Sequence, residues 1–271
     1  MTTLQSAVLG AVQGLTEFLP ISSTAHLRIV PALLGWSDPG ASFTAVLQLG
    51  TLAAVIAFFA RDLAEMTRGS LAALSNPARR RDFPARLAVY LIVGTLPVVV
   101  AGVLFKDAIR GGLRALPVIA TALIVVALAL AVAERVARHR RALEELVLRD
   151  ALIIGCAQAL ALVPGVSRSG VTILAAMAIG LRRDAAARFS FLLSIPAVAG
   201  AAIFEMKHVL HSDVGALPLV VGLLVAAVTG YASIAWLLRF LRTRTMYPFI
   251  GYRIALGLLI FGLLAGGLLQ G

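Results

Sequence analysis

The chain has 271 residues, of which 60% are hydrophobic and only 14% charged, and its mean hydropathy is +0.96. About a quarter of the residues are charged in ordinary soluble domains, so this composition excludes that class. The formal charge of +11 does not indicate a nucleic-acid partner, because the arginines lie in short segments between apolar runs, where basic residues set membrane orientation. Since open sheets cannot satisfy their backbone in lipid, the composition predicts an all-α polytopic membrane protein.

Six apolar runs approach or exceed the roughly 20 residues that a helix needs to cross a bilayer. Two further apolar segments, about 4–34 and 150–180, are broken by proline and polar residues. We expect each of these to be a re-entrant helix pair that enters the membrane and returns by the same face, with its non-helical tip surrounded by protein or water. The six predicted transmembrane helices are 41–60, 86–105, 115–134, 187–206, 216–238 and 249–269.

Lysine and arginine are distributed unequally between the connecting loops. Four loops contain 16 of these residues, and the two loops on the opposite side contain four. The positive-inside rule places the first set in the cytoplasm and both chain termini outside. The basic loops are 61–85, 135–149, 182–188 and 239–244, and the opposite loops are 106–114 and 207–215.

The two halves of the chain resemble each other at an offset of 144 to 146 residues, as in the match of Gly10–Gln13 with Gly155–Gln158. Each half contains one re-entrant pair and three spans. Because three crossings are an odd number, the second copy has the opposite orientation, an architecture known from transporters. The sequence thus predicts a single membrane domain, 1–271, with repeat one at about 4–134 and inverted repeat two at about 150–269.

The tip of the first re-entrant pair is unusually polar. Polar groups at membrane depth are costly, and they indicate a functional site. Gln13 and Glu17 are four residues apart and share one face of a helix. Their oxygens suit a hard divalent cation, Mg²⁺ or Ca²⁺, completed by water and substrate phosphate. In the alternative interpretation, Glu17 caps a broken helix or pairs with an arginine.

Three hydroxyl side chains, Ser22, Ser23 and Thr24, follow Pro20, where a helix must stop. They either cap the next helix or include a nucleophile that a neighbouring base activates. His26 lies three residues after Ser23, about one helical turn along. It can serve as that base, as the acid for the leaving group, or as the nucleophile itself.

The second polar tip, Pro164–Thr172, is predicted to bind an anion. Its glycines let backbone amides approach a ligand, and the helix that follows offers its N-terminus. The guanidinium of Arg168 fits phosphate oxygens in a bidentate manner; otherwise it forms a structural pair with Glu17 or Asp150. The donors expected to bind substrate are Ser167, Ser169, Gly170 and Thr172 at this tip, together with Ser22 and Thr24 at the first.

Two features of the later spans allow two interpretations each. Tyr252 and Arg253 anchor either a membrane interface or a lipid headgroup. The small residues Gly222, Gly230, Gly257 and Gly262 mark either a self-association face, and hence a homodimer, or tight internal packing.

The motifs QGLTEFLPISSTAHL and PGVSRSGVT resemble the two signature regions of bacterial undecaprenyl-diphosphatase, the bacitracin-resistance family. The resemblance extends through FTAVLQLGTLAAV, RFSFLLSIPAVAG and FIGYRIALG. It implies removal of the terminal phosphate of undecaprenyl diphosphate in the bacterial inner membrane, which returns the lipid carrier to cell-wall synthesis. It also implies a divalent cation at Gln13 and Glu17, and essential roles for Ser23, His26 and Arg168.

The expected catalytic set is therefore Glu17, Ser23, His26 and Arg168. Because the first re-entrant pair enters from outside, we expect the site to open to the periplasm or exterior. The alternative function is a transporter or flippase of a polyprenyl phosphate, which the repeat architecture alone would favour. A carrier of an anion has little use for a nucleophile and a base, and this favours the hydrolase.

Overall fold

The computed structural model describes residues 1–37, 40–105, 115–209 and 215–268. The extended regular structure in these ranges is helical, as the composition predicts. Short 3₁₀ helices at Pro77–Arg81, Leu143–Glu145 and Leu160–Leu162 connect longer elements. In chain order, the α-helices are α1 Thr3–Glu17, α2 Ser23–Leu33, α3 Gly40–Phe58, α4 Ala60–Ser75, α5 Phe83–Leu104, α6 Leu116–Val136, α7 Leu148–Ala159, α8 Arg168–Ala178, α9 Arg183–Val209, α10 Ala216–Leu241 and α11 Tyr247–Ala265.

Among the described residues, four helices are long and apolar enough to cross a membrane: α5, α6, α10 and α11. A fifth is added if the bent pair formed by α3 and α4 counts as one span. The prediction of a polytopic helical membrane protein is confirmed at this level. The predicted span 187–206 lies within the 27-residue helix α9.

The segment 61–85, predicted as a loop, is largely helical. Helix α4 turns by 70° from the direction of α3, and a 3₁₀ helix follows it. One face of α4 buries Met66 and Ala73, while Leu71 and Leu74 are exposed. The charges of this segment conceal its apolar periodicity when only its average hydropathy is considered. A helix with charged residues and exposed leucines is typical of the membrane surface.

Both polar-interrupted segments are helix pairs, as predicted: α1 with α2, and α7 with α8. These helices contain 11 to 15 residues. At about 1.5 Å per residue they extend over roughly 16 to 23 Å, less than the approximately 30 Å of the hydrocarbon core. None of the four can therefore cross a bilayer alone.

Close glycine contacts fix the two short pairs to the long helices. A Cβ atom on Gly10 would overlap the carbonyl oxygen of Gly222, and one on Gly155 would overlap that of Gly94. Even alanine does not fit at Gly10 or Gly155. The first contact joins α1 to α10 and the second joins α7 to α5, so each short helix packs on a long helix from the other half of the chain.

Internal packing accounts for three of the four glycines considered for self-association. Gly222 packs against Ser6, Gly230 lies against Ala54, and Gly257 lies against Ile124. A Cβ on Gly262 would meet no described atom within 4 Å. The homodimer stays a prediction.

Candidate active site

The first polar tip forms because α1 ends just before Pro20 and α2 begins at Ser23. Ser22 caps α2, with its Oγ accepting from the N–H of Ala25 at 3.4 Å. Its φ of 74° is uncommon for a residue with a Cβ atom. His26 helps to hold this turn, because its Nδ1 donates to the Ser22 carbonyl at 2.7 Å. Ser23 is thereby fixed in the first turn of a helix.

The second tip repeats this arrangement. Gly165 has a φ of 92°, and a Cβ there would lie 2.5 Å from the carbonyl oxygen of Ile119, so the position requires glycine. Ser167 has a φ of 72°, and its Oγ accepts from the N–H of Gly170 at 3.1 Å. Arg168 is thereby placed at the first position of α8, as Ser23 is in α2.

The carboxylate of Glu17 joins the two tips. Its Oε1 accepts from Nη2 of Arg168 at 2.8 Å. Its Oε2 accepts from Oγ of Ser23 at 2.6 Å and from Nε2 of Gln13 at 2.9 Å. Four residues predicted to act together are thus in one hydrogen-bonded cluster. The ion pair considered for Arg168 is made with Glu17, whereas Asp150 pairs with Arg141 and accepts from the N–H of Val147, just before α7.

A cavity of about 180 Å³ lies beside this cluster. Two helix N-termini, those of α2 and α8, border it, and helix N-termini attract anions. Within the described ranges, four N–H groups of these first turns donate to no other protein group. They belong to Ser23, Thr24, Arg168 and Ser169. The polar side chains that line the cavity include Glu17, Ser22, Ser23, Thr24, Ser167 and Arg168.

Two polar atoms of the cluster are buried and lack a hydrogen-bond partner among the described residues: Oε1 of Gln13 and Nη1 of Arg168. A buried polar atom without a partner is unfavourable by about 1–3 kcal/mol, and more when the group is charged. A bound ligand could satisfy both atoms if it offered a hydrogen-bond acceptor to Nη1 of Arg168 and a cation or a hydrogen-bond donor to Oε1 of Gln13. Both carboxylate oxygens of Glu17 are therefore hydrogen-bonded, whereas Gln13 and Arg168 each keep one atom available to a ligand.

Three predicted substrate donors stabilise the second tip and do not line the cavity. Ser169 donates to the carbonyl of Leu19 at 2.9 Å, which ties the two tips together. Thr172 donates to the carbonyl of Arg168 at 2.7 Å, and its hydroxyl lies 2.6 Å from that of Ser190. Gly170 supplies the N–H group that Ser167 caps.

The structure places His26 outside the cavity lining. Nε2 of His26 lies 2.6 Å from the hydroxyl of Tyr252, and Nδ1 is occupied by the Ser22 carbonyl. The two rings are nearly parallel, with 7° between their planes. Ser23 therefore makes its hydrogen bond to Glu17 rather than to His26. The partner of His26 is 226 residues away, so sequence spacing gave no indication of this contact.

Arg253 was expected to anchor a membrane interface or a lipid headgroup, and the structure instead places it between the two tips. Its side chain is fully buried. Within the described residues, its hydrogen-bond partners are backbone carbonyls. It donates to the carbonyls of Pro20 in the first tip, Gly165 and Val166 in the second, and Ala122 and Leu123 in α6. A charged residue inside an apolar run was the signal for this role.

Together these features define an integral membrane protein of the helical class, with a carboxylate, a hydroxyl and a guanidinium joined beside an internal cavity. The chain belongs to the bacitracin resistance protein BacA family, whose family model matches residues 6–259. It is 53% identical to an undecaprenyl-diphosphatase of Myxococcus xanthus, over all of this chain and 92% of that protein. It is 49% identical to one of a Nocardioides species, over 98% of both chains, and 48% identical to undecaprenyl-diphosphatase 2 of Frankia casuarinae, over 100% and 97%.

Proposed function

We propose that this chain hydrolyses undecaprenyl diphosphate to undecaprenyl phosphate and inorganic phosphate. The observation that carries the proposal is the hydrogen-bonded set Ser23–Glu17–Arg168, which faces a cavity at two helix N-termini. The family and the names of the relatives support the same activity. They give no support to the alternative of a transporter.

The contacts support Ser23 as the nucleophile and Glu17 as its base. Oγ of Ser23 attacks the terminal phosphorus, and its proton passes to Glu17. The bond from that phosphorus to the bridging oxygen breaks, and its electron pair leaves with undecaprenyl phosphate. Water then attacks the phosphoserine, Glu17 returns the proton to Ser23, and inorganic phosphate departs with the protons of the water. Arg168 and the free N–H groups stabilise the phosphoryl oxygens.

The leaving group needs no acid in this scheme, because a phosphate monoester has a second pKa near 6 and departs as a stable anion at neutral pH. His26 is therefore free to act as a positioning residue. Its bond to the Ser22 carbonyl holds the turn with positive φ that places Ser23. Tyr252 in turn fixes the orientation of the imidazole ring.

Gln13 and Glu17 fit a divalent cation, Mg²⁺ or Ca²⁺, to which the substrate phosphate would be a further ligand. The buried, unpartnered Oε1 of Gln13 is a suitable ligand, and the carboxylate of Glu17 is next to it. Mg²⁺ is commonly held by one or two carboxylates together with substrate phosphate and water. Such an ion would neutralise charge on the phosphoryl oxygens. Gln13 and Glu17 would hold this ion where the diphosphate binds, beside the hydrogen bonds that Glu17 already accepts.

EDTA is expected to stop phosphate release, and added Mg²⁺ or Ca²⁺ is expected to restore it, because this cation would be exchangeable. The measurement is phosphate release by purified protein after dialysis against chelator, with each cation returned separately. A rate that is indifferent to chelation would exclude an exchangeable cation from the reaction.

We further propose six spans and two re-entrant pairs in an inverted repeat, with both termini outside. The interlocked packing of α1 on α10 and α7 on α5 supports this arrangement. The cavity-lining residues Gln48, Val98 and Ala201 lie in the halves of their helices away from the basic loops. The cavity would then open towards the periplasm or exterior of a bacterial inner membrane.

Cysteines at positions 37 and 75 are expected to show opposite accessibility in intact cells. Ser75→Cys lies at the end of α4 on the basic side and should be protected, while Ser37→Cys follows α2 and should react with an impermeant thiol reagent. The exposed Cys156 is first changed to serine to remove background labelling. Equal labelling of the two positions would contradict the proposed orientation.

Purified protein in detergent, supplied with Mg²⁺ or Ca²⁺, is expected to release phosphate from undecaprenyl diphosphate. Ser23→Ala should lower the rate by at least about 10³-fold, because it removes the nucleophile. Ser194→Ala is a matched control, since that serine is buried and bonds only within its own helix among the described residues. The proposed hydrolase function would give way to the flippase alternative if the folded wild-type protein released no phosphate and transported lipid phosphate in vesicles.

A further inference from the structure

Gln158 has the clearest unmet hydrogen-bonding requirement near the cavity. It belongs to the last turns of α7, its side chain is fully buried, and it lines the cavity. Both Nε2 and Oε1 lack a hydrogen-bond partner in the part of the chain that the structure describes. Leaving both atoms of a buried amide unpaired is unfavourable, so the position favours a polar occupant of the cavity.

Comparison with Gln13 explains why this amide is free. Gln13 occupies the corresponding place in the first re-entrant segment, and its Nε2 donates to Glu17, four residues later. The residue four positions after Gln158 is Leu162, which offers no acceptor. The same residue type is therefore committed to the carboxylate network in one segment and available to a ligand in the other.

The cavity has room for that ligand. Its volume of about 180 Å³ corresponds to roughly six water molecules at about 30 Å³ each. Water can occupy it between turnovers and satisfy both amide atoms. Apolar side chains such as Val98, Leu162 and Val198 form other parts of the wall, so a phosphate near Gln158 would find few competing donors there.

We propose that Gln158 binds the phosphate of the substrate that is attached to the lipid, with Nε2 donating to one of its oxygens. This inference rests on the proposed hydrolase function. In-line attack by Ser23 requires the leaving phosphate to lie beyond the phosphorus from Oγ. Ser23 from the first re-entrant segment and Gln158 from the second both line the cavity, so Gln158 can receive that leaving group. The bond persists in the product complex, and it therefore affects binding rather than the chemical step.

The test is Gln158→Leu, which keeps the volume and removes the unpaired amide. The midpoint of thermal unfolding of the ligand-free protein should be unchanged or about 2 °C higher. KM should rise by about 10- to 100-fold with kcat within about threefold, because the lost bond is made equally in the ground and transition states. Inhibition by undecaprenyl phosphate should weaken by the same factor, and inhibition by inorganic phosphate should not.

Gln13→Leu is the matched comparison, since it breaks an existing hydrogen bond and should lower the unfolding midpoint. A lowered unfolding midpoint in Gln158→Leu would show that Gln158 has a structural role and would overturn the inference. An unchanged KM together with unchanged inhibition by undecaprenyl phosphate would also overturn it. Thermal stabilisation by undecaprenyl phosphate should be present in the wild type and reduced in Gln158→Leu. This binding measurement remains valid without hydrolysis, so a failure of the hydrolase assignment is distinguishable from a failure of this inference.

Discussion

Glu17→Gln is expected to lower kcat/KM for undecaprenyl diphosphate by about 10³-fold. The amide can still contact Ser23, but it cannot take a proton from that hydroxyl, and loss of a general base typically costs about 10²- to 10⁴-fold in rate. The change also leaves the guanidinium of Arg168 without its carboxylate. An unpaired buried charge lowers the free energy of unfolding by about 3–5 kcal/mol. Phosphate release per folded molecule and thermal unfolding in the same detergent measure the two effects separately.

Glu134→Gln separates the chemical effect from the loss of a buried ion pair. Glu134 is 6% exposed, against 8% for Glu17, and it pairs with Arg183 away from the cavity. We expect its replacement to reduce stability with no change in kcat/KM. A Glu17→Gln enzyme that retains more than a tenth of the wild-type kcat/KM would remove Glu17 from the role of base, whatever its stability.

Arg253→Met is expected to cause a large loss of stability although Arg253 is not one of the proposed reacting groups. The substitution fills much of the space but removes the donor shared by five backbone carbonyls, of which those of Pro20, Gly165 and Val166 lie in the tips outside the helices. Each unsatisfied buried group is unfavourable by about 1–3 kcal/mol. We expect the free energy of unfolding to fall by at least about 3 kcal/mol. The two tips should also lose their relative position, and kcat/KM should fall about 10²-fold, the size of effect that a misplacement of about 1 Å produces.

Two further variants make this prediction testable if Arg253→Met does not fold. Arg253→Lys keeps the charge but cannot reach all five carbonyls from one ammonium group, and it should be intermediate in both stability and activity. Arg188→Met removes an arginine that is 44% exposed and pairs with Asp62, so it should change stability by less than about 1 kcal/mol. Wild-type stability and kcat/KM in Arg253→Lys would show that the carbonyl contacts are dispensable.

Much of the cluster was predictable because its members share short sequence segments. Gln13 and Glu17 face the same side of α1 from their spacing alone, and Ser23 follows the proline that ends this region. Arg168 was predicted from the cost of a charge inside an apolar chain, and the structure pairs it with Glu17. Local rules of helix geometry and desolvation were sufficient for Gln13, Glu17 and Arg168, whereas the choice of Ser23 among the three hydroxyls came from the family resemblance.

The remaining contacts depend on how distant helices pack, and spacing contains no information about that. Tyr252 meets His26 across 226 residues, and Arg253 meets Pro20 across 233. Gln158 was visible as a match to Gln13, but its free amide became apparent only when the cavity and the apolar Leu162 were located. Helix α4 was missed because its charges conceal an apolar face that tertiary packing uses.

The contact between Gly10 and Gly222 has a consequence for biogenesis. The two glycines that let α1 and α10 meet are separated by more than 200 residues of sequence. At translation rates of about 5–20 residues per second, α1 is made roughly 10–40 s before its partner. During that interval, the polar side chains of Gln13 and Glu17 lack the later helices that surround them in the folded protein. The insertion machinery must therefore keep this short helix at an interface or in a hydrated site until the later helices arrive.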